Sequence, residues 1–471
     1  MSESTIAAIA TPGGKGGVGI VKISGPDAVF ILGRIFRRSR SMAQGPAAPG
    51  QNCPASFRSH QVYHGFILNH DDGKIIDEVL VMVMKAPLSY TKEDVVEIHT
   101  HSGPVVLDAV LEQVLKNRAR LAQPGEFTRR AFVNGRIDLT QAEAVMDLIH
   151  AQSKTALRMA ALQVKGEMRG RIESMRAALS GVQVEIEGSI DFPADLEDDL
   201  CPERLPAVIQ TRVIDPLQIL LDQYESGHVY RDGFRLAVVG KPNVGKSSLM
   251  NRILKKNRVI VAALPGTTRD FIEETVTLRE IPVVITDTAG IHETDDFIEK
   301  IGMEKTAEVI DQADLVLFVV DSSCPLEAAD RQIYEKVKDK TVILVRNKSD
   351  LAGPGGDTFL PAAWMRFPAG STSALNGTGI EDLEKMIAQT FTGPQGPESA
   401  DTVTPNLRHK LALEIARKAA GAAYMGLLRR QPYELVAVDV REAMDALGEI
   451  LGLAGEEDLL DKIFARFCIG K

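Results

Sequence analysis

The sequence predicts a multidomain protein with an α+β domain at the N-terminus and an α/β domain inserted into an all-α helical domain. Three observations support this fold class. Short apolar runs bounded by turn residues fill the first quarter of the chain. Helical periodicity with few breakers follows, and apolar strands then alternate with helical segments before a second helical stretch. A chain of 471 residues is also too long for a single hydrophobic core.

Segment 1–118 is predicted to form the α+β domain. Its strands are expected at TIAAIAT, GIVKISG, VYHGFIL, DEVLVMVM and DVVEIHTH, where β-formers alternate with polar residues or form short apolar runs. The helical spacing of GPVVLDAVLEQVLKNRARL predicts an amphipathic helix over 103–121. The polar stretch 38–59 is rich in Pro and Gly, which predicts a loop.

The helical domain is predicted to consist of two separate segments, 119–231 and 392–471. The first contains a long periodic stretch with almost no helix breakers. The second follows the linker TGPQGPESADTVTP and ends in a cysteine motif, FCIGK. Because the α/β segment 232–391 lies between these two, its insertion into the helical domain is the simplest architecture.

Composition and charge narrow the class of protein. The net charge is −10, whereas a strong nonspecific nucleic-acid binder is usually basic. Any RNA partner is therefore expected to bind a local basic patch or a second protein.

The sequence also predicts neither a membrane segment nor a disulfide framework. No run of 18 apolar residues occurs, and the N-terminus lacks the pattern of a secretory signal, so we expect no membrane association and a cytoplasmic location. The four scattered cysteines form no C-x-x-C pair and predict neither a disulfide framework nor a zinc site.

A phosphate-binding loop is predicted between the strand FRLAVVG and the helix that follows. Gly240–Ser247 reads GKPNVGKS and fits the G-x-x-x-x-G-K-[ST] motif. In this motif, backbone amides surround the phosphates, Lys246 reaches the β- and γ-phosphates and Ser247 ligates Mg²⁺. The residues expected to contact nucleotide here are Asn243, Val244, Gly245, Lys246, Ser247 and Ser248.

Two motifs that follow predict the γ-phosphate and Mg²⁺ contacts. The sequence DTAG ends an apolar strand, so Asp287 is expected to hold Mg²⁺ through water and the Gly290 amide to bind the γ-phosphate. GTTRD lies between the first two motifs, where a switch loop supplies a magnesium-ligating threonine, for which we prefer Thr268. The expected contacts are Thr267, Thr268, Asp287, Thr288, Ala289 and Gly290.

The last two motifs predict recognition of guanine. The sequence NKSD ends another strand, and the Asp350 carboxylate can accept hydrogen bonds from guanine N1 and N2, which adenine cannot provide. Ser373 and Ala374 follow at the distance expected for a contact with the guanine carbonyl. The motifs together predict a Ras-like P-loop G domain that hydrolyses GTP. The expected base contacts are Asn347, Lys348, Asp350, Ser373 and Ala374.

The residue that follows DTAG differs from that of Ras-type enzymes. There a glutamine orients the attacking water, whereas this chain has Ile291, which has no polar group for that task. Hydrolysis is therefore very slow or another side chain orients the water. The next segment offers four acidic candidates, and composition leaves the choice open among Glu293, Asp295, Asp296 and Glu299.

Along nearly its whole length the chain resembles the MnmE (TrmE) family of tRNA modification GTPases, which belongs to the TrmE-Era-EngA-like group. The GTPase motifs GKPNVGKSSLMN, GTTRD, DTAG and NKSD are shared with many relatives. More specific are TIAAIATPGGKGGVGIVKISG, GEFTRRAFVNGRIDLTQAEAV and the terminal FCIGK.

The resemblance implies a function and a set of partners. GTP hydrolysis would accompany addition of an aminomethyl or carboxymethylaminomethyl group to C5 of the wobble uridine of certain tRNAs. A 5-formyl- or methylene-tetrahydrofolate would supply the one-carbon unit. The chain would form a homodimer, and a heterotetramer with the FAD-containing protein MnmG.

The resemblance also implies roles for individual residues. Segment 1–118 would be a folate-binding dimerisation domain, and the folate pocket would use Lys22, Glu97, Arg136 and Lys471. Glu299 matches the glutamate that orients water and would be catalytic. Cys468 occupies the family's terminal cysteine position, and its chemical role does not follow from the sequence.

The family is potassium-dependent, which implies two kinds of cation in the G domain. Mg²⁺ would be held by Ser247 and Thr268. K⁺ would be ligated by Asn243 and by backbone groups near Ala262, Leu264 and Thr267. The family commonly has a Thr-Asp pair at positions 262 and 263, where this chain has two alanines, but backbone carbonyls can still ligate a cation.

The G domain alone leaves open a second class of function, a switch GTPase in ribosome assembly or translation. Such a protein is expected to carry a basic RNA-binding appendage. The acidic balance, the expected folate domain and the C-x-G-K ending instead favour tRNA modification.

Overall fold

A computed structural model of the protein describes residues 4–39, 57–191, 204–257, 273–287, 308–351, 360–392, 402–453 and 457–471. These divide into two compact units, one of 1–146 with 448–471 and the other of 147–447. The predicted fold class is confirmed, because the chain combines two sheets of different type with long helices. The boundaries at 118, 231 and 391 stay a prediction.

Strands are numbered along the described chain. Those of the first unit are β1 (Ile6–Ile9), β2 (Gly16–Ser24), β3 (Phe36–Arg38), β4 (Gln61–Leu68), β5 (Ile75–Met84), β6 (Val95–Ser102) and β7 (Arg120–Leu121). Those of the second unit are β8 (Phe234–Val239), β9 (Glu273–Leu278), β10 (Ile281–Asp287), β11 (Leu315–Asp321), β12 (Val342–Asn347) and β13 (Ala369–Ser371).

Helices are numbered in the same way. They are α1 (Ala28–Ile35), α2 (Pro104–Lys116), α3 (Glu126–Val133), α4 (Leu139–His150), α5 (Lys154–Lys165), α6 (Glu167–Asp191), α7 (Arg204–Ile209), α8 (Asp215–Asp232), α9 (Lys246–Asn257), α10 (Ala328–Val337), α11 (Ile380–Thr392), α12 (Leu407–Leu428), α13 (Tyr433–Leu451) and α14 (Glu457–Phe464). In the described part of the chain, no helix is both long and apolar enough to cross a bilayer.

The first unit is built on a seven-stranded sheet with the order β3-β4-β5-β6-β2-β1-β7. Its neighbouring strands are antiparallel, except for the parallel pair β1 and β7. Val21 and Ile23 of β2 are buried in one core with residues of α1 and α2. Because side chains alternate along a strand, Lys22 lies on the opposite face of the sheet. That face presents Val62 and Leu80 to solvent.

The five strands expected in 1–118 are present, but the helix that follows is shorter than predicted. It was expected to run to 121 and ends at Lys116. Arg118 has a φ of 80°, which a helix does not tolerate, and Arg120–Leu121 then pair with β1. Most of the predicted loop 38–59 lies outside the described residues.

The second unit contains a six-stranded sheet with the order β13-β12-β11-β8-β10-β9. All neighbouring strands are parallel, except for β9 and β10. Every residue of β11 is buried, as expected for a central parallel strand that is covered on both faces. The carboxyl ends of β8, β11 and β12 therefore meet at one edge, where doubly wound sheets bind ligands.

Candidate functional site

The loop 240–245 connects β8 to α9 in the strand–loop–helix order that the phosphate-binding motif requires. Asn243 and Gly245 have φ of 63° and 94°, so the loop turns through the left-handed region. A Cβ at Gly245 would lie 2.4 Å from Nδ2 of Asn347, which leaves room for glycine only. Lys246 is 8% exposed, and its Nζ donates to the carbonyls of Gly240 at 2.8 Å and Lys241 at 3.0 Å.

Lys241 anchors this loop to the start of α10. Its Nζ lies 3.2 Å from Oδ2 of Asp330 and 3.3 Å from Oε1 of Glu327. Burial alone would lower the pKa of Lys241, but the hydrogen bond and charge of Asp330, together with the hydrogen bond of Glu327, outweigh that effect and raise the pKa. The ion pairs hold in place the backbone carbonyl that accepts a hydrogen bond from Lys246.

Asn347 connects the base-recognition motif to the phosphate loop. The residue is 1% exposed, and its Nδ2 donates to the carbonyl of Val244 at 2.8 Å. Its Oδ1 accepts from the Ala374 amide at 3.1 Å and from Oγ1 of Thr372 at 3.3 Å. One buried amide side chain therefore ties together three of the segments predicted to surround the nucleotide.

The remaining base-recognition residues lie around Asn347. Lys348 Nζ is 2.7 Å from Oδ2 of Asp321 at the end of β11. Burial would raise the pKa of Asp321, but its hydrogen bonds with Lys348 and Ser323 prevail and lower it. Asp350 is exposed at the turn after β12, while Ser373 is buried and its Oγ accepts from the Asn376 amide at 3.1 Å.

The structure brings the described nucleotide-site residues to one edge of the parallel sheet. Ser247 and Ser248 are exposed in the first turn of α9. The backbone of Asp287 pairs with Val238 of β8, so the DTAG segment begins at the same edge. The predicted residues that lie outside the described part of the chain are Ala262, Leu264, Thr267, Thr268, Thr288, Ala289, Gly290 and Glu299.

A second group of predicted site residues comes together in the first unit. Lys22 and Glu97 are directly opposed on β2 and β6, with Lys22 Nζ 4.0 Å from Oε1 of Glu97. The same ammonium lies 4.6 Å from the ring centre of Tyr90 and 5.1 Å from that of Phe127. The Arg136 guanidinium is 4.8 Å from the Tyr90 ring centre. Two cations thus share one aromatic ring.

The C-terminal residues complete this cluster. The Phe127 amide donates to the Lys471 carbonyl at 3.2 Å. Gly470 has a φ of 95°, and a Cβ there would lie 2.6 Å from the Ile9 carbonyl oxygen, so the tail passes against the end of β1 where only glycine fits. Burial lowers the pKa of Lys22; Glu97 opposes this effect, and the positive charges of Lys471 and Arg136 add to it. Cys468 is exposed, and it lies close to Lys471 in the sequence.

Comparison with known proteins identifies the family. Two family models match, one described as "GTP-binding protein TrmE N-terminus" over 5–136 and one as "MnmE helical domain" over 139–468. A tRNA modification GTPase MnmE of Carboxydothermus hydrogenoformans is 43% identical, and one of Syntrophus aciditrophicus is 44% identical. Both alignments cover 100% of this chain and 100% of the relative.

The chain belongs to the MnmE family of tRNA modification GTPases. The predicted family and enzyme class are therefore confirmed: the protein is a GTP hydrolase that acts in tRNA modification. Among solved structures, Aquifex aeolicus Era bound to GDP·AlF₄⁻ is 29% identical, with 40% of this chain and 66% of that chain covered and a TM-score of 0.28.

Several residues of this MnmE-family enzyme were not identified from sequence. Tyr90 and Phe127 provide the aromatic surfaces near Lys22, although Phe127 lies within the specific GEFTRRAF block. The contact between Lys241 and Asp330 was also missed. The Glu-x-x-Asp spacing at the start of α10 predicts a capping arrangement but does not reveal which lysine it binds.

Replacing Asn347 with alanine is expected to destabilise this MnmE-family enzyme as well as weaken GTP binding. The change leaves the Val244 carbonyl and the Ala374 amide without their side-chain partner, which costs about 1–3 kcal/mol for each buried group left unsatisfied. Thermal unfolding without nucleotide measures this effect. Asn376→Ala is the control, because Asn376 is exposed on the same loop. Equal melting of Asn347→Ala and wild type would contradict the bridging role.

Proposed function

We propose that this enzyme couples GTP hydrolysis to modification of C5 of the wobble uridine of certain tRNAs. The product carries an aminomethyl or carboxymethylaminomethyl group, a tetrahydrofolate donates the one-carbon unit and FAD-containing MnmG is the partner. The observation that supports the proposal is the convergence of Glu97, Arg136 and Lys471 on Lys22, with the Tyr90 ring in contact with both Lys22 and Arg136. None of these residues belongs to the nucleotide-binding motifs.

The residues of the cluster match the chemistry of a folate. Folates combine a flat pterin ring with glutamate carboxylates, and the Tyr90 ring offers a surface for stacking. Lys22, Arg136 and Lys471 supply positive charge for carboxylates. Glu97 can accept hydrogen bonds from the amino group and ring N–H of a pterin. Burial is the main cause that lowers the pKa of Lys22, and the charges of Lys471 and Arg136 lower it further; a bound anion would relieve this second, repulsive contribution.

Titration with 5-formyltetrahydrofolate tests this site. Arg136→Met is expected to weaken binding about tenfold or more, since one charge-assisted hydrogen bond is worth about 1.5–3 kcal/mol. Arg136 is exposed, so its loss should not unfold the protein. Lys74→Met is the matched control, because the Lys74 side chain is 82% exposed in the same unit and forms an ion pair with Asp72 rather than with the cluster. Equal affinity of Arg136→Met and wild type would overturn the folate assignment.

The G-domain proposal concerns the two cations and the dimer. Mg²⁺ would be held by Ser247, Thr268 and, through water, Asp287. K⁺ would be held by Asn243, which has a left-handed backbone and is exposed in the phosphate loop, and by the backbone near Ala262, Leu264 and Thr267. A fixed monovalent cation can stabilise charge that develops on the phosphates, as an arginine finger does elsewhere. Ordered switch loops would then bring two G domains of a homodimer face to face.

We further propose a cytoplasmic location and a homodimer, and small-angle scattering of the purified protein tests the cation and dimer proposals together. With GDP and aluminium fluoride, we expect a more compact envelope in K⁺ than in Na⁺. Asn243→Ala is expected to abolish this difference because it removes a side-chain ligand. An identical envelope for wild type in both salts would contradict K⁺-dependent association of the G domains.

A further inference from the structure

A cleft of about 530 Å³ lies in the second unit, and no residue of the phosphate or base-recognition loops lines it. One wall is the corner between α5 and α6, where Gly166 makes the turn. The other wall is formed by the helical turn that precedes α8, which includes Arg212, and by the first turns of α8, which include Ile219. Neither the nucleotide site nor the Lys22 cluster shares a residue with this cleft.

The cleft is positively charged although the protein is acidic. Its charged lining residues are Lys165, Arg171, Arg212 and Glu167, which sum to +2 on a chain of net charge −10. Glu167 Oε1 lies 3.1 Å from Lys165 Nζ and offsets part of that charge. Arg171 is held in place, because its Nη1 donates to Oε1 of Gln223 at 3.0 Å. The positive charge is therefore local and partly pre-organised.

The backbone that carries Arg212 has an unusual conformation. Residues Gln210–Ile214 form a π-helical turn between α7 and α8, and the Asp215 amide donates to the Gln210 carbonyl five residues earlier. Pro216 has no N–H to donate to the Arg212 carbonyl, so the α-helical hydrogen bond to that carbonyl is missing as well. Turns of this type are rare and often occur at functional sites. Here the turn contributes Arg212 to the cleft wall.

The cleft also has an apolar part. Met175 and Leu220 are buried in its floor, while Ile219 is 52% exposed at the helix surface. A free inorganic anion could bind the cations, but it has no apolar group to bury against this surface. A nucleotide unit of a polynucleotide has a phosphate for the cations and a sugar and base for the apolar groups.

We propose that this cleft binds a phosphate and the adjoining nucleoside of the RNA substrate. The inference rests on the proposed function, since it takes tRNA as the molecule that the enzyme handles. An RNA segment bound here would explain how an acidic protein retains a polyanion without an overall basic surface. Most of its binding energy would come from release of counterions, with Arg212 as the exposed contact.

The test is the salt dependence of tRNA binding to the full-length protein, measured by fluorescence anisotropy. Arg212→Glu is expected to weaken binding roughly tenfold and to reduce the slope of log affinity against log salt by about one. Lys336→Glu is the control, because it makes the same charge change on an exposed residue of α10 that does not line the cleft. Both variants should unfold at the wild-type temperature.

The other outcomes separate the possible failures. Unchanged affinity and slope in Arg212→Glu, with normal binding by wild type, would overturn the cleft assignment and leave the proposed function intact. Absence of tRNA binding by wild type would overturn the cleft assignment alone, because a second protein can hold the RNA; an unchanged nucleoside profile of total tRNA in cells without the protein would overturn the proposed function. In a parallel titration, binding of inorganic phosphate that depends on Arg212 while tRNA binding does not would identify the cleft as a small-anion site instead.

Discussion

Asp350→Asn is expected to change the nucleotide specificity of this enzyme from guanine to xanthine. Asp350 is predicted to accept hydrogen bonds from N1–H and from the N2 amino group of guanine. Two hydrogen bonds to a charged acceptor are together worth about 3 kcal/mol or more, which is roughly 100-fold in affinity for GTP. Xanthine has a carbonyl in place of the amino group, so the Asn side chain can donate to it while its oxygen accepts from N1–H.

The measurement is a pair of titrations with GTP and xanthosine triphosphate. Asp350 is exposed at its turn, so the substitution should not disturb the buried bridge made by Asn347. Asp382→Asn provides the control, because it removes an exposed carboxylate from α11 of the same unit. An equal loss of affinity for both nucleotides would count against the assignment of Asp350 to base recognition.

Glu299→Ala is expected to slow GTP turnover by about 100-fold or more while GTP affinity stays near the wild-type value. A side chain that orients or deprotonates the attacking water acts in the transition state and contributes typically 10²–10⁴-fold. Ile291 occupies the position where Ras-type enzymes have their glutamine, so another group must perform this task. Glu299 is assigned to it by its place in the family pattern.

Single-turnover hydrolysis and equilibrium GTP binding, measured side by side, separate the two effects. Glu293→Ala is the matched control, since it removes a carboxylate from the same acidic segment. Comparable loss of affinity and rate in Glu299→Ala would indicate a structural role. If Glu293→Ala slowed hydrolysis as much, the assignment of Glu299 as the water-orienting residue would be wrong.

Sequence patterns predicted the fold where side-chain periodicity is strong. Short apolar runs bounded by turn residues identified the strands of the first sheet, and the continuous apolar run LVLFVV indicated a buried parallel strand. Helix α1 was not predicted, because the eight-residue segment AVFILGRI is too short for periodicity to distinguish a helix from a strand. The left-handed conformation of Arg118 that precedes β7 has no signal in the side chain.

The parts of the candidate site that depend on residues close together in the sequence could be predicted. The phosphate loop depends on glycines, a lysine and a serine within eight residues, so its motif can be read directly. The bridge from Asn347 to Val244 spans 103 positions and the ion pair of Lys241 with Asp330 spans 89. A single sequence contains no record of such contacts, because they arise only when distant strands assemble into one sheet.

The most direct test of the account is mass spectrometry of nucleosides from total tRNA, comparing cells with and without this protein. We expect selective loss of aminomethyl-type modifications of the wobble uridine in cells without it. The wild-type chain should restore them, and Glu299→Ala should not, which would tie modification to GTP turnover. An unchanged nucleoside profile would contradict the proposed role in wobble uridine modification.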